Sequence, residues 1–371
     1  MKNYRILYLL GLLIFCIVSG CTQPGTPAPK TDSAPTPPPA VAPAPAPAPT
    51  PAVTPAPAAD VDEFGVPTGD TPPPMPKGYE STEAVYAAIS AGEITLIDEK
   101  DPAPESVGVV VKKDVEYGRV GERPLLLDLY LPPEVKEPAP GFIFIHGGGW
   151  SGGDRKDYAY HCTRFAKRGY IVATVGYRLS GEAKFPAAVQ DTKCAVRWMR
   201  ANAAANHMDP NRIAVMGGSA GGYLAMMIGY SSDVPELEGD GGNPGVSSRV
   251  SVVINAYGPT DLTAPIAQVA PQVTSFLAKS YADDPELFRR ASPIAYLTPD
   301  DPPTLIFQGT VDDTVPAAQN DLLAEKCIEI GVPCQYVKFQ GWPHTLDLAQ
   351  EPNIVCQWYI LDFFKKHLQK K

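Results

Sequence analysis

From residue 141 to the C-terminus, short apolar runs alternate with longer segments that have helical periodicity. The apolar runs have the length and composition of buried parallel strands. Two further strands are predicted ahead of them, at 109–117 and 124–131. This order predicts an α/β fold with a mostly parallel, eight-stranded sheet covered by helices on both faces. The other predicted strands are 141–145, 170–175, 212–216, 250–255, 304–308 and 334–339, and the main predicted helices are 156–168, 185–206, 219–230, 316–330 and 353–367.

The pentapeptide at 217–221 (GGSAG) lies between an apolar strand and a predicted helix. In that setting the G-x-S-x-G pattern predicts a nucleophile elbow, a tight turn that exposes the serine hydroxyl at the carboxyl edge of the sheet. Side chains on Gly217 or Gly221 would collide with adjacent elements, so these two glycines are expected to be structural. The pattern predicts Ser219 as the catalytic nucleophile.

A second glycine-rich turn, HGGGW at 146–150, follows the strand at 141–145. Glycines let backbone N–H groups approach a developing oxyanion without a Cβ in the way. We expect oxyanion donors from Gly148, Gly149 and Ala220, with the N–H of Trp150 as the alternative to one glycine. His146, Gly147 and the Trp150 side chain are expected to shape the turn.

A serine nucleophile needs a base and an orienting acid, and this kind of fold places them in the order Ser, Asp, His. Only His344 lies between the last predicted strand and the final helix. We therefore predict His344 as the base. His161 and His207 are expected to be surface or packing residues, and His367 to be solvated.

The loop at 308–316 follows a strand and precedes a helix, and it offers two candidates for the acid, Asp312 and Asp313. The D-x-x-V-P pattern falls on Asp312, which we favour, and Asp313 remains the alternative. Asp261 and Asp347 lie on other loops and are weaker candidates.

The N-terminus has the pattern of an export signal. A short basic region precedes the apolar run at 6–18, and small residues precede Cys21. Val18-Ser19-Gly20-Cys21 resembles a bacterial lipobox, which implies cleavage before Cys21 and its acylation. The alternative is an ordinary signal peptide cut near Gly20. By resemblance to Gram-negative lipoproteins, Thr22 favours anchoring at the outer membrane of the cell envelope.

A proline- and alanine-rich stretch follows, with 19 of the 42 prolines between residues 21 and 80. Proline removes backbone donors, so this stretch is predicted to be a polyproline-like spacer. The predicted organisation is a signal peptide at 1–20, a lipidated cysteine and linker at 21–78, an accessory segment at 79–104 and a catalytic domain at 105–371.

Two irregular insertions interrupt the alternation of strands and helices, at 231–248 and 258–301. The second is predicted to form a small cap over the site. Five cysteines remain outside the signal and the lipobox, an odd number, and Cys327 and Cys334 are close enough in sequence to be bridged. The net charge of −10 argues against nucleic acid as a partner.

Several motifs together resemble a known group. HGGGW, the following GGDR, YRLS at 177–180, FPAAVQD at 185–191, the elbow and the D-x-x-V-P loop are similar to those of the esterase/lipase branch of α/β-hydrolases. The likeness is to bacterial acetyl and feruloyl esterases that act on carbohydrates and, more distantly, to hormone-sensitive-lipase-like esterases. It covers residues 105–371, and the long N-terminal cap usual in the latter relatives has no counterpart here.

The resemblance implies a Ser-His-Asp acyl-enzyme mechanism on short-chain or aromatic acyl esters, small or polysaccharide-linked, without a metal or organic cofactor. The predicted N-terminal lipid anchor adds the membrane as an expected partner. Alternatives are an arylformamidase-type amide hydrolase, a lipase for longer acyl chains, and a binding protein built on an inactive hydrolase. The first of these shares the glycine-rich turn, and the last is disfavoured because the full set of catalytic residue types is present.

Overall fold

A computed structural model describes residues 60–98, 102–232 and 234–369 of the chain. The predicted signal peptide, Cys21 and the linker up to residue 59 lie outside these residues. Within the described ranges, no helix combines the length and the apolar character that crossing a membrane requires.

One eight-stranded sheet forms the centre of the domain. Its strands are β1 Val110–Val120, β2 Arg123–Leu131, β3 Ala139–Ile145, β4 Ile171–Val175, β5 Met208–Gly218, β6 Val252–Ala256, β7 Thr304–Gly309 and β8 Cys334–Phe339. Their order across the sheet is β1-β2-β4-β3-β5-β6-β7-β8. β1 pairs antiparallel with β2 and β2 with β4, and all other pairs are parallel. The predicted fold class is thus confirmed.

Alternate residues of the central strands enter two separate cores, because side chains of a strand point in turn to opposite faces. In β5, Val215 joins one core and Met216 the other. The α-helices are α1 Thr82–Ala91, α2 Ala159–Lys167, α3 Ala187–Ala201, α4 Ala220–Tyr230, α5 Pro265–Gln268, α6 Pro271–Leu277, α7 Pro285–Arg290, α8 Ala318–Ile330 and α9 Gln350–His367. Helices α3, α4 and α8 cover the first core, and α2 and α9 the second.

The two insertions both pack on the domain. Glu238 in the insertion at 231–248 pairs with Lys193 at 2.8 Å and with Arg197 at 3.0 Å, both on α3. The insertion at 258–301 carries α5, α6 and α7. Its apolar residues Val273, Phe276 and Leu277 are buried in the first core.

The chain ahead of α1 departs from the sequence prediction. The linker was predicted to extend to residue 78, but residues 60–78 contact the domain. Val66 is 1% exposed, and Asp62 pairs with Arg168 at 2.6 Å. The proline content of the segment gave no indication of these contacts. One buried valine and a few polar contacts suffice to hold a short extended segment.

Cys327 and Cys334 are free thiols, as are the other three described cysteines, so the suggested disulfide is not formed. The two thiols hydrogen-bond to each other, and this contact, together with burial, raises the pKa of Cys327.

Candidate active site

Ser219 lies at the turn between β5 and α4, where the backbone is strained. Its φ of 57° and ψ of −122° place it in a region that non-glycine residues seldom adopt. The Ser219 N–H donates to the Ala256 carbonyl at 2.9 Å, which ties the turn to the end of β6. The residue is partly exposed, while its neighbours Gly218 and Ala220 are buried. The strained turn thus presents a single hydroxyl at the carboxyl edge of the sheet.

The glycines of the elbow have no room for a side chain. A Cβ on Gly217 would lie 2.3 Å from the carbonyl carbon of Gly221, and a Cβ on Gly221 would lie 2.0 Å from the Ile145 carbonyl oxygen. Real Cβ atoms do not approach backbone atoms this closely. The steric role that the sequence predicted for these two glycines agrees with this crowding.

The HGGGW turn lies directly beside the nucleophile. A Cβ on Gly147 would lie 3.4 Å from Cβ of Ser219. Gly148, Gly149 and Trp150 all have positive φ, at 105°, 57° and 58°. The sequence therefore folds here into a tight turn of positive-φ residues next to the serine, and Ala220 follows Ser219 as the first residue of α4.

His146, the first residue of this turn, is buried and contacts the backbone of the turn and the Tyr177 ring. It is 1% exposed, and its ring stacks on Tyr177 with 4.3 Å between the ring centroids. The Tyr177 hydroxyl donates to the His146 carbonyl at 3.0 Å, and His146 Nδ1 lies 2.8 Å from the Gly147 carbonyl. Burial lowers the pKa of His146, because the charged imidazolium is poorly solvated there. These contacts suit an orienting role for His146.

His344 and Asp312 are in direct contact. His344 Nδ1 lies 2.7 Å from Asp312 Oδ2, and the Asp312 side chain has no exposed surface, whereas that of His344 is 13% exposed. Asp312 lies after β7 and His344 after β8. Both therefore stand at the carboxyl edge of the sheet that also carries Ser219.

The hydrogen bonds around Asp312 separate the two acid candidates. Asp312 Oδ1 accepts from the N–H groups of Thr314 and Val315, and Oδ2 accepts from Gln308 Nε2 at 3.1 Å. Asp313 is exposed, and its carboxylate accepts a 3.4 Å contact from the Thr314 hydroxyl. Only Asp312 is held by its surroundings with an oxygen directed at His344.

Tyr257, which has no sequence signature, lies between the nucleophile elbow and the His344 ring. The Tyr257 ring meets the His344 ring edge to face, with 4.7 Å between centroids. A Cβ on Gly218 would lie 2.6 Å from the Tyr257 hydroxyl oxygen. Tyr257 donates a hydrogen bond to Asp347, which is buried. The position of Tyr257 depends on how the end of β6 packs against the loop that carries His344, which the local sequence does not reveal.

Asp347 is a second carboxyl beneath the site, faced by Tyr158, Tyr257, Cys356 and His344. Burial raises its pKa, although the hydrogen bond from Tyr257 and the neighbouring His344 act in the opposite direction. It does not contact His344 as a hydrogen-bond acceptor for Nδ1, a position that Asp312 occupies. Asp347 is therefore a supporting residue of the site.

We expect Asp347→Asn to gain stability relative to the wild type as the pH rises above about 4, the ordinary range of an aspartate pKa. A folded-state pKa above the unfolded value makes the contribution of the carboxyl to stability complete at low pH and progressively lost as the pH rises. Asparagine keeps the acceptor for Tyr257 and has no such loss. Melting temperatures of both proteins at acid and neutral pH measure this, and a difference that stays constant or shrinks towards neutral pH would contradict it.

The cap insertion contacts the oxyanion turn directly. The Trp150 ring stacks on Phe276 of α6, with 4.5 Å between centroids and 9° between planes. A Cβ on Gly149 would lie 2.9 Å from Cγ of Gln272. Phe185 N–H donates to the Phe276 carbonyl at 3.1 Å. Helix α6 therefore forms one wall beside the glycine-rich turn.

The remaining three histidines have other surroundings. His161 is buried and contacts Asn353 at 2.9 Å, and burial lowers its pKa to about 3. His207 ends a short helical turn ahead of β5. His367, predicted to be solvated, is half-buried and packs on Phe363. Among the described residues, no group of His, Cys, Asp and Glu side chains suits a metal ion.

Comparison with known proteins identifies relatives that share this fold. The BD-FAE family model matches residues 127–327, which include the glycine-rich turn, Ser219 and Asp312. Esterase LipQ of Mycobacterium tuberculosis is 32% identical over 259 residues, 67% of this chain; the chain spans 60% of the length of LipQ. A truncated carbohydrate esterase from gut microbiota superposes with a TM-score of 0.60 at 27% identity, covering 69% of this chain and 95% of that one. Esterase Est2 of Thermogutta terrifontis gives 0.60 and 27%, covering 70% and 92%.

The fold and the elbow define the protein as an α/β-hydrolase, a fold that it shares with the esterases to which it is similar. Its sequence gives the narrower assignment, because the family match extends over more than half of the chain. The chain belongs to the BD-FAE family.

Proposed function

We propose that the protein hydrolyses carboxylic esters through an acyl-enzyme formed on Ser219. The observation that carries the proposal is the 2.7 Å contact between His344 Nδ1 and Asp312 Oδ2 at the edge of the sheet that presents Ser219. A histidine fixed in this way keeps Nε2 free to accept a proton. The named relatives are esterases, which supports the same reaction class.

In the proposed mechanism the Ser219 hydroxyl attacks the ester carbonyl carbon while His344 accepts its proton. Asp312 holds the imidazole in the required tautomer and stabilises the imidazolium. The tetrahedral intermediate collapses, the carbon–oxygen bond to the alcohol breaks, and His344 gives the proton to the departing alcohol. Water then attacks the acyl-enzyme by the same steps and releases the acid.

The negative charge of each intermediate is assigned to the backbone N–H groups of Gly148, Gly149 and Ala220. The positive φ values of the two glycines and the position of Ala220 at the first turn of α4 support this assignment. Trp150 also has positive φ, so its N–H remains the alternative to one glycine.

We assign the substrate to short-chain or aromatic acyl esters, such as acetylated or feruloylated carbohydrates. The similarity to a carbohydrate esterase supports the alcohol part of this assignment. The likeness of the sequence motifs to bacterial acetyl and feruloyl esterases supports the acyl part. The rings of Trp150 and Phe276, 3% and 1% exposed, hold the cap helix α6 against the oxyanion turn. A lipase for longer chains is the second candidate, favoured by Ile266 and Val269, which are 48% and 76% exposed on the cap.

The substrate assignment predicts a rate profile. We expect nitrophenyl acetate and butyrate to turn over faster than the palmitate ester, with release of ferulate from methyl ferulate or of acetate from acetylated xylan. Ser219→Ala serves as the control for spontaneous hydrolysis. Fastest turnover of palmitate would indicate the lipase, and turnover of N-formylkynurenine alone would indicate an amide hydrolase.

The nucleophile is tested separately with paraoxon, since Thermogutta terrifontis esterase 2 has been solved phosphorylated by this compound. Mass spectrometry of the digested adduct should locate the phosphoryl group on the peptide that contains Ser219. Labelling of another residue would contradict the proposed mechanism.

A further inference from the structure

The chain ahead of the family-matched region lies against the loops that carry the base and the acid. The Tyr79 N–H donates to the Gly341 carbonyl at 3.1 Å, and the Tyr79 ring meets Trp342 edge to face at 5.8 Å. A Cβ on Gly78 would lie 2.1 Å from the Gln340 carbonyl oxygen, so the two backbones touch. Residues 340–342 lead directly to His344.

The acid loop is contacted by the first turn of α1. The Thr82 hydroxyl donates to the Val311 carbonyl at 2.8 Å, and Thr82 is 5% exposed. The Ser81 side chain caps the helix by accepting from the Ala84 N–H, which fixes the orientation of this turn. Val311 immediately precedes Asp312, so the hydrogen bond acts one residue away from the acid.

The two loops are also bonded to each other at the same place. The Val311 N–H donates to the Trp342 carbonyl at 3.2 Å, and the Gly341 N–H donates to the Thr310 hydroxyl at 2.8 Å. The distance between Asp312 and His344 depends on how these loops are placed relative to each other. Thr82 contacts the acid loop where it meets the base loop.

The segment is fixed to the domain at its other end. The Asp62 carboxylate pairs with Arg168, whose guanidinium lies 4.7 Å from the centroid of the Phe64 ring. The Trp358 indole N–H donates to the Gly69 carbonyl at 3.0 Å. Residues 60–82 are therefore held at several points along their length, and α1 is docked on a supported surface.

We propose that Thr82 is a positioning residue for the Asp312–His344 pair and that the segment from residue 78 to α1 is part of the active-site support. The inference rests on the proposed Ser-His-Asp function. Thr82 holds the backbone next to Asp312 through its hydroxyl, and a small displacement of the acid weakens stabilisation of the imidazolium in the transition state. The hydroxyl bonds the Val311 carbonyl, so its effect on the reaction is exerted through Asp312.

Thr82→Val, which keeps the shape and removes the donor, tests the proposal in the full chain. We expect kcat for nitrophenyl butyrate to fall about three- to tenfold, the loss that a single neutral hydrogen bond can produce. KM should be unchanged, and the acid limb of the kcat/KM profile should move to lower pH, because a displaced Asp312 stabilises the imidazolium less. Thr82→Ser should restore both, since serine keeps the hydroxyl.

The matched control is Ser90→Ala, which removes another hydroxyl of α1 bonded to a backbone carbonyl, that of Tyr86. It should leave kcat and the pH profile unchanged. Thr82→Ala removes the same donor as valine without a branched side chain and should reproduce the kinetic loss if Thr82→Val does not fold. Melting curves of all variants establish that the assayed protein is folded.

Folded Thr82→Val with wild-type kcat and pH profile would overturn the proposal, as would a loss that Thr82→Ser fails to restore. Failure of the proposed function has a different signature, because turnover would then persist in Ser219→Ala. A dead Ser219→Ala together with an unaffected Thr82→Val rejects this inference alone.

Discussion

Ser219→Ala is expected to lower kcat for ester substrates by roughly 10⁶-fold, the scale seen when the nucleophile of a serine hydrolase is removed. The acyl-enzyme route requires this hydroxyl, and the remaining oxyanion donors accelerate only direct attack by water. Hydrolysis of nitrophenyl butyrate by wild type and variant measures the loss. The variant should keep its fold, because alanine at φ 57° has the same backbone strain as the serine that it replaces.

Ser251→Ala is the control for this experiment. Ser251 precedes β6 at the opposite, amino edge of the sheet, where its hydroxyl donates to the Asn211 carbonyl at 2.7 Å. Its loss should leave kcat unchanged. Turnover that survives in Ser219→Ala would contradict the assignment of the nucleophile.

Asp312→Asn is expected to lower kcat by roughly 10⁴-fold, because an amide favours the wrong imidazole tautomer and does not stabilise the imidazolium. Asp313→Asn changes the adjacent carboxylate in the same way, but Asp313 is exposed and makes no contact with His344. It should retain wild-type activity. The pair is measured with the same nitrophenyl ester under saturating conditions.

The reverse result, a large loss in Asp313→Asn and near-normal activity in Asp312→Asn, would require the acid loop to rearrange in the working enzyme. Equal small effects in both variants would indicate that Asp347, the other carboxyl near His344, orients the base.

The sheet and the elbow were predictable because their sequence signals are local. The apolar run GFIFI at 141–145 has the length and composition of a buried strand. Gly217 and Gly221 are required because a side chain at either position would clash within the elbow and with β3. The order of Ser219, Asp312 and His344 along the chain also limited the choice, since strands β5, β7 and β8 end at the same edge. The D-x-x-V-P pattern favours Asp312 over Asp313 as the acid, and the burial of Asp312 distinguishes the two in the structure.

Other features depend on contacts between distant parts of the chain and had no local signal. Tyr257 meets His344 across 87 positions of sequence, and Thr82 bonds Val311 across 229. Residues 60–78 have the composition of a spacer, yet Phe64 lies against Arg164 of α2 and against Arg168 at the C-terminal end of that helix. Proline content predicts where helices and sheets cannot form, but it does not predict whether an extended segment adheres to a surface.

Helix α6 is fastened to the body of the domain by the stack of Phe276 on Trp150, by the hydrogen bond from Phe185, and by a 3.0 Å hydrogen bond from Lys184 Nζ to the Ser275 carbonyl. Moving this helix away from the domain would break an aromatic pair and two hydrogen bonds. These contacts favour a cap whose shape beside the oxyanion turn is set before a substrate binds. In such a site, substitutions of the cap side chains that face the substrate would change selectivity. Homologues with the same catalytic residues could then differ in substrate while they catalyse the same reaction.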